Sequence, residues 1–174
     1  MKLIKSDQHQ CVAAAFGMVM DWTMEEVFER LGHNGLEQII DENAPPPPAC
    51  YRSFHPQEFI DALLDEGYAC TMIELDPCLR HGDQLVNHAY LLGHDRFFLA
   101  LHYGPGVIFG TVGDKTKGMG HAVAWDAETM KIFDPRGYTY RWNKDQDFHP
   151  RQFFLIQKVE ETCMTQFTKP DTAS

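Results

Sequence analysis

The sequence KSDQHQCVAAAFGMVM, residues 5–20, decides the fold prediction because it places one cysteine at the start of an almost wholly apolar run. Alanine and methionine recur after Cys11, and both favour helix. We therefore predict a buried helix that begins at or near Cys11. The first turn of a helix favours an anion, so a thiol there is easily ionised and becomes nucleophilic. The alternative is a small, buried and inert cysteine.

Length and composition predict a single globular domain over residues 1–160, followed by a polar tail at 161–174. The net charge of −10 argues against general binding to nucleic acid or to anionic membranes, which needs clustered Lys and Arg. No apolar run is long enough for a membrane span. The five cysteines are odd in number and no secretory signal precedes them, so we expect free thiols in the cytoplasm.

The first half of the chain is predicted to be mostly helical. A capping box at residues 23–26 begins the second helix, which ends at Gly32. Pro56 begins another helix, which ends at Gly67. Weaker patterns predict two further helices, at residues 35–41 and 83–92, and a strand at 68–75. The prolines at 45–48 predict an extended connector. Residues 95–103 are apolar enough for either a helix or a strand.

The second half is predicted to be antiparallel β-structure. Short apolar runs separated by turn residues predict strands at 107–112, 120–126, 130–133, 138–142 and 153–159. A polar, glycine-rich loop at 113–120 separates the first two. Helices that precede strands, rather than alternate with them, indicate an α+β fold in which a helical half packs on an antiparallel sheet. Trp125 and Trp142, on these strands, are predicted core residues.

Two residues in this half have the chemistry to complete a nucleophilic site. His121 begins a strand directly after the glycine-rich loop, in MGHAVAWD, and Asp134 ends the next strand, in KIFDPRG. If these strands form a hairpin, the two residues lie near the same end of it. A thiol, an imidazole and a carboxylate that orients the imidazole are the groups that thiol catalysis needs. Each residue alone is more often structural.

The order of these motifs resembles the papain-like cysteine peptidases, and more closely the bacterial branch that processes double-glycine leaders of bacteriocins. CVAAAFGMVM is similar to the nucleophile helix of that family, GHAVAWD to its histidine strand and IFDPRG to its acidic motif. TMEEVFERLG and FHPQEFIDALLDEGY are similar to its second and third helices. The resemblance extends from about residue 3 to about residue 159.

The resemblance implies a papain-like fold in which Cys11 is the nucleophile, His121 the general base and acid, and Asp134 the residue that orients His121. It implies no metal and no organic cofactor. The family has a glutamine about six residues before the cysteine, which completes the oxyanion hole with the cysteine N–H. Here Lys5 has that spacing, and Gln8 is three residues before Cys11, so either is a candidate donor. Val12 replaces the family's glycine.

These observations predict a thiol hydrolase, most simply a cysteine peptidase acting on a peptide or protein. Two alternatives stay open: an acyltransferase that uses the same three residues, and a catalytically impaired protein-binding module. A zinc site at Cys70, Cys78, His81 and His88 is disfavoured because the two cysteines are too far apart for a structural zinc module. Packing and loop roles are favoured for His88, His94 and His102. The oligomeric state is left open.

Overall fold

The computed structural model describes residues 1–39, 50–74, 78–81, 84–87, 99–113, 118–141 and 147–160. A 3-10 turn at Gln8–Gln10 leads directly into the first α-helix. Three α-helices lie wholly within the described residues: α1 (Cys11–Met20), α2 (Met24–Leu31) and α3 (Pro56–Asp65). The strands are β1 (Gln38–Ile39), β2 (Cys50–Tyr51), β3 (Tyr68–Glu74), β4 (Cys78–His81), β5 (Gln84–Asn87), β6 (Gly106–Val112), β7 (Met119–Asp126), β8 (Lys131–Asp134), β9 (Tyr138–Arg141) and β10 (Phe148–Lys158).

The main sheet has six antiparallel strands in the order β3-β10-β6-β7-β8-β9. Strands β6 to β9 follow one another as hairpins, whereas β10 returns to lie between β6 and β3. Two separate ladders, β1 with β2 and β4 with β5, add two strands each. The α+β class predicted from the sequence is therefore confirmed, with an open antiparallel sheet.

Helix α1 packs on one face of this sheet, and small side chains make the contact close. Ala13, Ala15 and Phe16 share a buried cluster with Ala122 and Ala124 of β7. Phe16 stacks on Phe59 of α3 with ring centroids 4.1 Å apart, which joins the helices to each other. A fully buried phenylalanine stabilises the fold by about 1.5–3 kcal/mol. The buried helix predicted from residues 11–20 is thus confirmed.

The opposite face of the sheet carries a second buried cluster, built on Val123 and Trp125 of β7 and Ile132 of β8. A helical turn at 99–101 covers part of it, and the Trp125 Nε1–H donates a hydrogen bond to the Leu101 carbonyl at 2.8 Å. This confirms the prediction that Trp125 is a core residue. Alternate residues of β7 therefore face the two clusters, as the period of a strand requires.

The ends of α2 and α3 agree with their sequence signals. Thr23 and Glu26 form the predicted capping box, with hydrogen bonds of 3.2 and 2.7 Å. At α3 the His55 ring accepts a hydrogen bond from the Gln57 N–H, and Glu58 accepts one from the His55 N–H. These bonds satisfy N–H groups that the first turn of a helix leaves without partners.

Two predictions about the first half were wrong, at least in part. Residues 35–39 are not helical: Gly35 has a φ of +72° and its carbonyl accepts from the Ser53 N–H, so the segment bonds across to another chain section. Gln84–Asn87 is a strand, because it pairs residue by residue with Cys78–His81. The strand predicted at 68–75 is confirmed: it is β3, which joins the main sheet beside β10.

Several predictions fall outside the described residues. They concern the proline connector, Trp142, His88, His94 and the tail at 161–174, together with the side chains of Cys78 and His81. The sequence left residues 95–103 open between helix and strand. Only 99–103 of this segment are described, and residues 99–101 form the helical turn. No helix in the part of the chain that the structure describes is long and apolar enough to cross a membrane.

Candidate active site

Cys11 is the first residue of α1 and is buried, with 5% of its surface exposed. The 3-10 turn before it fixes its approach: the Gln10 N–H donates to the Asp7 carbonyl at 3.0 Å. The Ser6 N–H donates to the Pro135 carbonyl at 3.1 Å, which attaches the segment before Cys11 to the turn after Asp134. Residues more than a hundred positions apart in the chain are thereby held side by side.

His121 is the third residue of β7 and its ring is buried, nearly perpendicular to the Phe148 ring with the two ring centroids 6.0 Å apart. Its Nε2 lies 2.8 Å from Oδ1 of Asp134, the last residue of β8. The Cys11 side chain is near enough to this ring to help raise the pKa of His121. Since Nε2 faces Asp134, Nδ1 is the nitrogen available to the thiol.

The two neighbours of His121 come from different layers of the fold. Cys11 begins a helix on the first face of the sheet, whereas Asp134 lies two residues after Ile132 on β8, and Ile132 belongs to the cluster on the second face. The first pair of the described β7–β8 ladder is Ala124 with Phe133, and Ala124 comes three residues after His121. The site therefore lies beyond the end of this ladder, where a helix side chain can reach the imidazole.

Asp134 is completely buried and is surrounded by donors. Besides His121, the Arg136 backbone N–H donates to Oδ1 at 2.8 Å, and the Arg136 guanidinium donates to Oδ2 through Nη2 at 2.7 Å and through Nε at 3.0 Å. The Tyr140 hydroxyl donates to Oδ2 at 3.3 Å. Burial acts to raise the pKa of Asp134, but the hydrogen bonds from His121 and Arg136 outweigh it and hold that pKa well below its usual range. The residue is therefore a carboxylate at neutral pH.

The environment of His121 favours its protonated form. Burial acts to lower the pKa of His121, but the hydrogen bond and negative charge of Asp134, together with the nearby Cys11 side chain, outweigh burial and raise the pKa to about 9. At neutral pH the ring is thus an imidazolium held between two acidic side chains. An imidazolium beside a cysteine is the partner that a thiolate nucleophile requires.

A pocket of about 190 Å³ opens onto Cys11 and His121. Its walls come from the segment before α1, the start of β7, the end of β6 and the turn after Asp134. It is lined by Ser6, Asp7, Cys11, Val112, Met119, Gly120, His121, Pro135 and Arg136. Both reacting side chains are therefore accessible to a small group although each is largely buried.

The two candidates for the oxyanion hole differ in position. Gln8 begins the 3-10 turn directly before Cys11, but its side chain lies outside what the structure describes, so its role remains a prediction. The Lys5 side chain lies over Gly137, with Nζ 3.4 Å from the point a β-carbon on that glycine would occupy. Lys5 does not line the pocket, so its placement gives no support to an oxyanion role.

The sequence predicted Cys11, His121 and Asp134, and the structure brings all three together. It did not identify Arg136, Tyr140 or Asp7. The string DPRGYTY contained a signal for Arg136, because an arginine two residues after a buried carboxylate can fold back on it across a proline turn. No comparable signal distinguished Asp7. Among the described residues, no group of three His, Cys, Asp or Glu side chains is placed to hold a metal ion.

Compared with protein-family models and with the curated protein sequences, the chain matches none.

Proposed function

We propose that this protein is a thiol hydrolase, most simply a cysteine peptidase, in which Cys11, His121 and Asp134 form the catalytic triad. One observation carries the proposal: the Nε2 of His121 lies 2.8 Å from a fully buried carboxylate, and its ring lines the same pocket as Cys11, whose side chain is near enough to help raise the pKa of His121. A nucleophile, a base and an orienting acid in contact is the arrangement that acyl transfer through a thiol uses.

The proposed reaction begins with the thiolate of Cys11 and the imidazolium of His121. The sulfur attacks the substrate carbonyl carbon, and the carbon–nitrogen bond breaks as His121 gives its proton to the leaving amine. A thioester on Cys11 remains. Water then attacks the thioester carbon, His121 takes a proton from that water, and the carbon–sulfur bond breaks to release the acid. Asp134 remains ionised and holds the ring in place throughout.

Asp134 supplies orientation rather than proton transfer in this mechanism. Its pKa is held low by donors on every side, so it does not accept the proton of His121. It fixes the tautomer of His121, because an Nε2–H that donates to Asp134 leaves Nδ1 for exchange with sulfur and substrate. The buried position of Asp134 strengthens this interaction by excluding water.

The arrangement of layers supports a papain-like scaffold as part of the proposal. A helix that begins with the nucleophile packs on an antiparallel sheet, and the base and acid lie on adjacent strands of that sheet. The expected substrate is a peptide or protein, and the expected location is the cytoplasm. Gln8, with the Cys11 N–H, remains the preferred oxyanion pair of the proposal.

Labelling by iodoacetamide tests the nucleophile. Peptide mass spectrometry should find Cys11 alkylated much faster than Cys70, because burial raises the pKa of the Cys70 thiol to about 11. Cys11→Ala should abolish the fast labelling and all turnover, whereas the matched variant Cys70→Ala should retain both. Turnover by folded Cys11→Ala would overturn the proposal.

Product analysis with and without added amines separates the two catalytic versions of the proposal. Hydrolysis gives the free acid at any amine concentration, whereas acyl transfer gives an amide in proportion to the amine. Both versions use the same thioester, so Cys11→Ala abolishes both. A binding module instead predicts that folded Cys11→Ala keeps its full biological effect.

A further inference from the structure

Asp7 occupies a fixed position beside the reacting groups. Its carbonyl accepts the 3.0 Å hydrogen bond that begins the 3-10 turn, and its neighbour Ser6 is attached to Pro135. These two backbone bonds hold Asp7 from both sides. The residue lines the same pocket as Cys11 and His121.

The Asp7 carboxylate is not used by the fold. Asp7 stands at the N-cap of the 3-10 turn, where an aspartate commonly accepts a hydrogen bond from the turn, yet its side chain makes no such bond. The side chain is exposed, and no described residue donates to its carboxylate or forms an ion pair with it. A position that favours capping therefore holds a carboxylate that is available to another molecule.

The other charges that line the pocket are compensated. Arg136 pairs with Asp134 at 2.7 Å, and the protonated His121 lies between Asp134 and Cys11. Lys5, two residues before Asp7, lies against Gly137 instead of lining the pocket. Asp7 consequently leaves one unbalanced negative charge at the pocket, on a chain whose net charge is −10.

The rest of the pocket suits an aliphatic chain. Val112 and Met119, partners in the β6–β7 ladder, line it together with Pro135. Its volume of about 190 Å³ is smaller than the ~300–1,000 Å³ of pockets that hold whole drug-sized ligands, so it fits one side chain. Apolar walls with a carboxylate match a long aliphatic side chain that ends in a cation.

We propose that Asp7 is a specificity-determining residue that selects a lysine or arginine side chain next to the carbonyl that Cys11 attacks. The inference rests on the proposed function, which supplies the reaction at Cys11. The alkyl part of the substrate side chain packs on Val112 and Met119, and its cationic end pairs with the Asp7 carboxylate.

The electrostatic part is tested without catalysis, using methanethiosulfonate reagents that carry either a trimethylammonium or a sulfonate group. The Cys11 sulfur attacks the reagent, a disulfide forms and methanesulfinate leaves, and peptide mass spectrometry follows Cys11 alone. The ratio of the cationic to the anionic rate should fall by about twofold to fivefold in Asp7→Asn, the range for one exposed ion pair. Asp7→Glu and the remote Asp65→Asn, matched for charge, should keep the wild-type ratio.

Lysine and norleucine substrates test the selection itself, because norleucine has the aliphatic chain of lysine without its charge. With blocked aminomethylcoumarin amides, wild type should have a higher kcat/KM for lysine, and Asp7→Asn should lose that preference. An unchanged reagent ratio in Asp7→Asn, or an unchanged lysine preference, would overturn the role of Asp7. If wild type cleaves neither amide, the proposed function fails while the reagent ratio still decides whether Asp7 attracts a cation.

Discussion

Arg136 donates hydrogen bonds to both carboxylate oxygens of Asp134, from its backbone N to Oδ1 at 2.8 Å and from its Nη2 to Oδ2 at 2.7 Å. Its Nε lies 3.1 and 3.0 Å from the two oxygens. Both oxygens are therefore fixed by a residue only two positions along the chain, and Oδ1 is directed at His121. Arg136 acts on the imidazole through Asp134 and is in this sense a positioning residue.

Replacing Arg136 by Met should lower the free energy of unfolding by about 2 kcal/mol, within the range for hydrogen bonds to a charged group. The charge of Asp134 then acts mainly on His121, so the pKa of His121 should rise further. Urea unfolding and NMR titration of the His121 ring check the two effects. Arg141→Met, which removes an exposed arginine of β9, should change neither. An unchanged His121 titration in folded Arg136→Met would contradict the positioning role.

The pKa of His121 predicts a pH dependence of stability. It is raised from 6.5 to about 9 in the folded protein, so its contribution is fully present below about pH 6.5 and is lost as the pH rises through 9. The contribution is at most about 3 kcal/mol. Between pH 6.5 and 9.5, wild type should lose more stability in urea than His121→Gln. Parallel losses in both proteins would show that His121 is not responsible.

Replacement by alanine should change the stability of the protein very differently at two glycines of the sheet. A β-carbon on Gly106 would overlap the Phe154 carbonyl oxygen of the neighbouring strand and lie 2.6 Å from the Phe153 ring, whereas one on Gly120 has no heavy atom within 4 Å. Gly106→Ala should destabilise the protein by about 3 kcal/mol, since backbone cannot easily move away. Gly120→Ala should leave stability equal or slightly higher. Thermal unfolding of both variants checks this, and equal melting temperatures would contradict it.

Glu58 joins three parts of the helical layer. It accepts from the His55 N–H at 2.8 Å, its Oε1 lies 3.0 Å from Nε2 of His33, and Arg52 donates to the same oxygen at 3.3 Å. Nδ1 of His33 accepts from the Gly35 N–H, so Nε2 carries the proton and donates. A glutamine amide cannot accept all three bonds, so Glu58→Gln should cost about 1–2 kcal/mol.

Chemical denaturation at pH 7 measures this cost. Glu66→Gln is the matched control, because Glu66 pairs with Arg30 on the surface and such pairs contribute about 0–1 kcal/mol. If the two variants lose the same stability, Glu58 has no special role.

The features that could be predicted from the sequence are those set by interactions between residues close together in the chain. The helix that begins at Cys11 and the strands that carry His121 and Asp134 are encoded in local patterns, which are short and periodic. That these residues meet depended on treating two consecutive strands as a hairpin, which a short turn between them favours. The helix prediction is wrong over residues 35–39 because their hydrogen-bond partners, around Ser53, come later in the sequence than the proline-containing segment.

The roles of Arg136 and Asp7 could not be predicted from the periodicity of the sequence. The direction of the Arg136 side chain is set by the buried charge of Asp134, which becomes apparent only once the sheet and α1 exclude water from it. Asp7 matters through its lack of a capping bond and through its pocket neighbours, which arrive from β6 and β7. Both are consequences of tertiary packing.

The position of β10 between β3 and β6 has a consequence for the order in which the protein can assemble. During synthesis the hairpins β6 to β9 can pair as they emerge, but β3 has no neighbour in the main sheet until β10 has been made. The strand that carries His121 is thus made before the sheet is complete. Of Cys11, Asp134 and Phe148, the three residues around the His121 ring, Phe148 of β10 is synthesised last. A ribosome-bound chain that stops before Phe148 should leave the sheet open, so activation of the thiol is expected only after β10 has joined it.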